Sequence, residues 1–107
     1  MYDITGAVSL WDHLAETSKP IIIYGMGDGA QKILDVCSLK NVKISGFMAS
    51  DDFVRGHSFA GFEVKKLSDI ERQFGDCIIL VAFGTHIDEV IQRIIAISDR
   101  HELYLSL

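Results

Sequence analysis

Ten residues constrain this chain more than any others: Ile21-Ile22-Ile23-Tyr24-Gly25-Met26-Gly27-Asp28-Gly29-Ala30. The four β-branched or aromatic residues between Pro20 and Gly25 read as a strand buried on both faces, and the glycines at 25, 27 and 29 read as a tight turn. Beyond the turn, Ala30, Ile33, Leu34 and Cys37 fall at i, i+3, i+4 and i+7, which predicts a helix with one apolar stripe. The spacing Gly25-x-Gly27-x-x-Ala30 fits the G-x-G-x-x-G/A pattern of a nucleotide-binding strand-turn-helix unit. Two glycines let the backbone turn sharply and approach a phosphate, and a small third residue lets helix and strand touch. The first N–H groups of the helix carry partial positive charge and can hold an anion there. Gly25, Met26, Gly27, Asp28 and Gly29 are therefore candidate ligand contacts. Asp28 has a competing reading as the helix N-cap, with Gln31 three residues on. In that role its carboxylate takes the same N–H groups and repels an incoming anion.

The remaining composition narrows the class. A chain of 107 residues allows one domain with one core, and 49% hydrophobic residues with a single proline exclude a disordered chain. A formal net charge of −5, with no basic run longer than Lys65-Lys66, excludes nucleic acid as a partner. The longest apolar run, Cys77 to Phe83, is too short to span a bilayer, and the first residues lack the pattern of a signal peptide. The expectation is a cytoplasmic protein with no membrane partner. Cys37 and Cys77 have no metal-like spacing and read as small apolar core residues.

In chain order, Met1 to Gly6 reads as a loose lead-in. Ser9-x-x-Asp12 predicts a capped helix over about residues 10–17, with Trp11 as a packing anchor. Val42 to Met48 reads as a second strand running into Ser50-Asp51-Asp52, where a dinucleotide unit places an acidic residue to accept hydrogen bonds from ribose hydroxyls. The same Ser-Asp-Asp also suits a solvated turn. Phe53 to Ala60 reads as a loop and Gly61 to Val64 as a third strand. Ser68-x-x-Glu71 is a capping box for a short helix ended by Gly75. Cys77 to Phe83 is uniformly apolar, as an internal parallel strand should be, and breaks at Gly84-Thr85-His86. Thr85-x-x-Asp88 then caps a helix whose stripe runs through Ile87, Val90, Ile91, Ile94 and Ile95 to about Ser98, and Leu103 to Leu107 reads as a fifth strand.

Strands and helices alternate, and every strand-to-strand link after the first is long enough for a crossover, which predicts a parallel sheet with right-handed connections. The predicted fold class is α/β, a Rossmann-like three-layer sandwich on a five-stranded parallel sheet of order 3-2-1-4-5, counted from Ile21. Ligands of such sheets sit outside the carboxyl ends of the strands where the order reverses. Gly25 to Gly29 reach that crevice from one side, and Gly84, Thr85 and His86 from the other. Of His13, His57, His86 and His101 only His86 is placed there, with no paired carboxylate, activated nucleophile or metal cluster beside it in sequence, so no catalytic residue is assigned.

Four stretches together, Ile-Tyr-Gly-Met-Gly-Asp-Gly-Ala, Ile-Ser-Gly-Phe-Met-Ala-Ser-Asp-Asp, Phe-Ala-Gly-Phe-Glu-Val and Val-Ala-Phe-Gly-Thr-His-Ile-Asp-Glu-Val, carry a resemblance. Over about Ile21 to Ile97 the chain resembles the Rossmann-like N-terminal domain of bacterial sugar-nucleotide acetyltransferases, similar domains of which precede methyltransferases and other enzymes of surface-polysaccharide biosynthesis. The resemblance implies a nucleotide-sugar site at Gly25, Gly27, Asp51 and Gly84, with a UDP-sugar as the first candidate ligand and NAD(P) as the second. Ala49 stands where the relatives usually carry an aspartate, the acidic pair beginning only at Asp51. The hexapeptide repeats that perform acetyl transfer in that family are absent from this sequence. The implied role is a single nucleotide-binding domain, residues 1–107, as the N-terminal part of a longer polypeptide or a subunit, with transferase chemistry carried elsewhere. The alternative is a ligand-free module for docking or homodimerisation.

Overall fold

Tyr24 stands at the end of four consecutive buried residues, Ile21 to Tyr24, as their uninterrupted apolar character requires. The structure, a computed structural model, describes residues 2–3, 13–25, 28–49, 58–59, 61–83 and 87–105, with the backbone alone described for Tyr2, Asp3, Asp28, Ser58 and Phe59. The elements are β1 (Tyr2–Asp3), α1 (residues 13–16), β2 (Ile21–Tyr24), α2 (Asp28–Leu39), β3 (Gly46–Met48), β4 (Ser58–Phe59), β5 (Phe62–Lys65), α3 (Leu67–Phe74), β6 (Ile78–Val81), α4 (Asp88–Ser98) and β7 (Glu102–Leu105).

Five parallel strands run in the order β5-β3-β2-β6-β7, the predicted 3-2-1-4-5. Because strand side chains alternate, each strand supplies both faces. Ile21, Ile23, Phe47, Leu80 and Tyr104 pack on one face with Leu14 of α1 and Ala30, Ile33 and Cys37 of α2. Ile22, Tyr24, Met48, Ile79, Val81 and Leu103 pack on the other with Ile70 of α3 and Ile94 and Ile97 of α4. The crossover from β2 to β3 moves one way along the sheet and the crossovers into β6 and β7 move the other way. A single handedness then places α2 on one face and α3 and α4 on the opposite one. The result is a Rossmann-like three-layer α/β sandwich.

Two short strands extend the sheet where the sequence reads as lead-in and loop. Tyr2 and Asp3 pair in parallel with Tyr104 and Leu105, and Ser58 and Phe59 pair antiparallel with Glu63 and Phe62. A two-residue strand has no periodicity to read, and the open N–H and C=O groups of an edge strand bring it into register.

Several boundaries differ from those read in the sequence. Only Gly46 to Met48 of the predicted second strand forms a ladder, while Val42 and Ile44 pack into the α2 face as a buried approach to it. The fourth strand shortens to Ile78–Val81, and the fifth spans Glu102–Leu105. Helix α2 ends on a left-handed Asn41, φ 58°, with the Val42 N–H donating to the Cys37 carbonyl at 2.8 Å. This is a Schellman closure with asparagine in the usual glycine position, and Val42 and Cys37 share one cluster of the core.

Caps depart further. Helix α3 opens with Lys66 as its N-cap and no side-chain cap, so Ser68 lies inside the helix rather than capping it. Leu67, Ile70 and Phe74 pack together on the sheet, which sets the start earlier, and Glu71 is occupied across the fold by Arg100 and His101. Helix α4 opens after Ile87, whose carbonyl accepts from the N–H groups of Val90 and Ile91 at 3.0 Å, in place of the predicted Thr85 cap. Asp28 is the first residue of α2 rather than a residue ahead of it, and the Gln31 amide donates to Asp35 at 2.9 Å instead of reaching back. Ser9, Trp11 and Asp12, read as the first helix start, lie outside the described residues.

Candidate functional site

The sheet order reverses between β2 and β6, and the ladder there continues one residue past each neighbouring strand. The Ala82 N–H donates to the Tyr24 carbonyl at 3.0 Å, and the Gly25 N–H donates to the Met48 carbonyl at 2.8 Å. Gly25 has φ +122°, which an L side chain rarely adopts, and a Cβ there would stand 3.0 Å from Phe83 Cδ1. The Phe83 ring meets Tyr24 edge-on, with centroids 5.0 Å apart, so the aromatic pair walls one side of the turn.

Gly29 makes the tighter approach. A Cβ on it would lie 2.0 Å from the Ala82 carbonyl oxygen, so the first turn of α2 is seated directly on the backbone at the end of β6. The small residue that the sequence pattern places at position 30 packs as expected, and Gly29 adds a second close approach. In the structure Ala30 is fully buried in the core on the α1/α2 face, and the glycine before it touches the neighbouring strand.

Of the predicted contacts, Gly25 and Gly29 come together at this rim against Ala82 and Phe83, the two residues immediately before Gly84. Asp28 begins α2 between them. Met26, Gly27, Asp51, Gly84, Thr85 and His86 lie outside the described residues, as does Asp52. The arrangement places a helix N-terminus at the carboxyl rim of a parallel sheet, where free backbone N–H groups can bind an anion.

The opposite rim, at the amino ends of β6 and β7, holds a polar cluster that the sequence reading missed. His101 Nε2 lies 2.6 Å from a Glu71 carboxylate oxygen, the same oxygen that Arg100 Nη2 approaches at 2.7 Å. Its Nδ1 lies 3.9 Å from Cys77 Sγ. Next to it, Glu102 accepts from the Tyr104 hydroxyl at 2.5 Å and from His13 Nε2 at 2.9 Å, with Lys19 Nζ at 3.6 Å. Between them opens a cavity of about 320 Å³. No sequence motif marks these groups, because they come from four separate parts of the chain. Among the described residues no set of three or more His, Cys, Asp or Glu side chains is arranged to hold a metal ion.

Burial pushes the Glu102 carboxyl up, but hydrogen bonds from Tyr104 and His13 and the nearby positive charge outweigh it and hold the group below the ordinary 4.5. A carboxyl depressed on folding contributes stability that is complete above the unfolded-state pKa and is lost as pH falls through the folded-state value. Glu102→Gln is therefore expected to flatten the acid limb of stability. Thermal unfolding followed from about pH 5 to about pH 3 should show a smaller fall in Tm for the variant than for the parent. Parallel curves would remove Glu102 as a contributor.

Among the described residues no helix is long and apolar enough to cross a membrane. Comparison with curated proteins and with solved structures finds no match for this chain. Residues 17–102, most of the sequence and all of the sheet from β2 to β6, match the family model described as C2185-like, N-terminal, and the chain belongs to that family.

Proposed function

We propose that the domain binds a nucleotide or sugar nucleotide, a UDP-sugar first and NAD(P) second, at the carboxyl rim between β2 and β6. In this reading it is a cytoplasmic binding domain, serving transferase chemistry performed by another segment of the same polypeptide or by a partner subunit in sugar or surface-polysaccharide metabolism. The observation that carries the reading is the pair of glycine contacts at the switch point. Gly25 is in a left-handed conformation at the end of the central strand, and Gly29 brings the start of α2 against the backbone of β6. Together they leave the helix N-terminus beside the crevice where doubly wound sheets bind phosphates.

A thermal-shift panel of UDP-sugars, NAD(P), S-adenosylmethionine and coenzyme A tests this. A ligand present at a hundred times its Kd stabilises the folded state by about 2.7 kcal/mol. For a domain of this size that is expected to raise Tm by about 10 °C or more. An unchanged Tm with every member of the panel would overturn the nucleotide reading. A second reading, a homodimerisation module, is favoured by the exposure of Ile87, at the N-cap of α4, and of Ile95 within it. Sedimentation showing a dimer that dissociates on dilution would support it, and a monomer at every concentration would remove it.

A further inference from the structure

The polar cluster at the amino rim lies across the sheet from the proposed nucleotide site, and its groups stand in a chemically ordered line. The His101 side chain is 5% exposed and is engaged at both ring nitrogens. An ionised carboxylate only accepts hydrogen bonds, so Nε2, 2.6 Å from Glu71, carries the ring hydrogen. In the neutral ring Nδ1 then keeps its lone pair on the side of the Cys77 thiol, 3.9 Å away. Arg100 on the same Glu71 oxygen holds the carboxylate in place. Thiol, imidazole and carboxylate come from the residue before β6, the residue before β7 and the middle of α3. Their order is that of a nucleophile, its base and the group that orients the base.

Open space borders Cys77. Cys77 is 1% exposed, but it lines the cavity of about 320 Å³ with Lys19, Asp76, Arg100, His101 and Glu102. That volume lies at the small end of the range for small-molecule sites. Cys37 supplies a contrast within the same chain. It is equally buried, in the apolar cluster of the α1/α2 face, where burial pushes its thiol up to about 12. Burial, with the Glu71 and Asp76 carboxylates, pushes the Cys77 thiol up to about 11. It therefore rests as S–H, and its reaction needs a base in contact with it.

We propose that Cys77, His101 and Glu71 form a base-assisted thiol centre that accepts acyl groups from small activated esters or thioesters entering this cavity. The Cys77 S–H gives its proton to His101 Nδ1 as the sulfur forms a bond to the carbonyl carbon. Collapse of the tetrahedral adduct breaks the bond to the leaving oxygen or sulfur, which departs with the proton from Nδ1. A Cys77 thioester and a neutral imidazole remain. Glu71 keeps its contact with Nε2 throughout and acts as a positioning residue.

The test is reaction of the full chain with p-nitrophenyl acetate, followed by release of p-nitrophenol and by peptide mapping of the acetyl group. The expected result is acetylation of Cys77 while Cys37 stays unmodified. His101→Gln is expected to slow acetylation of Cys77 by about a hundredfold, and Glu71→Gln by a smaller factor. The rate at Cys37 reports opening of the fold in each variant. Should His101→Gln unfold the chain, both thiols would react together, and the folded Glu71→Gln variant then decides. Acetylation of both cysteines at one rate in the parent chain, or a Cys77 rate unchanged in the folded variants, would overturn the proposal.

Discussion

Gly29→Ala is expected to destabilise the domain by about 3 kcal/mol or more, with Tm falling by about 10 °C or more. Two effects oppose each other at this position. Gly29 lies in the first turn of α2, where helix propensity alone favours alanine by up to about 1 kcal/mol. Against this, the added methyl carbon would stand 2.0 Å from the Ala82 carbonyl oxygen. The obstacle is backbone immediately after β6, the strand next to the central one, so no rotamer change relieves it. Either α2 lifts from the sheet or β6 shifts within its ladder, and each loses packing along its length. Overlap therefore outweighs propensity. Urea unfolding of the two proteins measures the difference, and a variant as stable as the parent or more so would show that α2 is not seated on β6.

The second large effect is expected from Phe47→Ala, a loss of about 3–5 kcal/mol. Phe47 is 0% exposed on β3, beside the central strand, and its ring centroid lies 5.4 Å from that of Phe62. Removing the ring leaves a cavity between the sheet and the α1/α2 layer that neighbours cannot fill without moving the strand. Since a domain of this kind has only about 5–15 kcal/mol of total stability, the variant should sit near its unfolding threshold. Ile95→Ala on the outer side of α4, where the side chain is 40% exposed, is the matched comparison and should change stability by less than about 1 kcal/mol. Similar losses at both positions would contradict the placement of the core.

The architecture was legible because two of its fully buried strands are written as uninterrupted apolar runs. Ile21 to Tyr24 and Cys77 to Phe83 read as internal parallel strands, and within them Ile21 to Tyr24 pairs residue for residue with Ile78 to Val81. The stripe of α2 packs into the core as read. That of α4 does so only in part, with Ile94 buried, Val90 packed on the core and Ile87 and Ile95 exposed because the helix turns Ile97 inward instead. Alternation of strand and helix still leads to the strand order. Information failed where a feature depends on a distant partner. The edge strands at Tyr2 and Ser58 exist because β7 and β5 offer open edges, which no local window contains. Ser68 and Thr85 carry good capping chemistry, yet apolar packing at Leu67 and the backbone at Ile87 set where those helices begin. The glycine motif marked the turn at the carboxyl end of β2 and the small residue Ala30 packed against the sheet, but not the second close approach, of Gly29 to the backbone after β6. His101 and Cys77 read as a strand entrance and a core filler, since their relation to Glu71 is created only by folding.

The most direct measurement of the central claim is an NMR titration of the isotopically labelled chain with a UDP-sugar, following backbone amides. The expected result is saturable shifts concentrated at Gly25, Gly29, Ala30, Ala82 and Phe83, where β2, β6 and the start of α2 meet. Amides that stay unmoved at that rim, or shifts confined to Cys77 and His101 at the opposite one, would contradict a nucleotide site at the switch point.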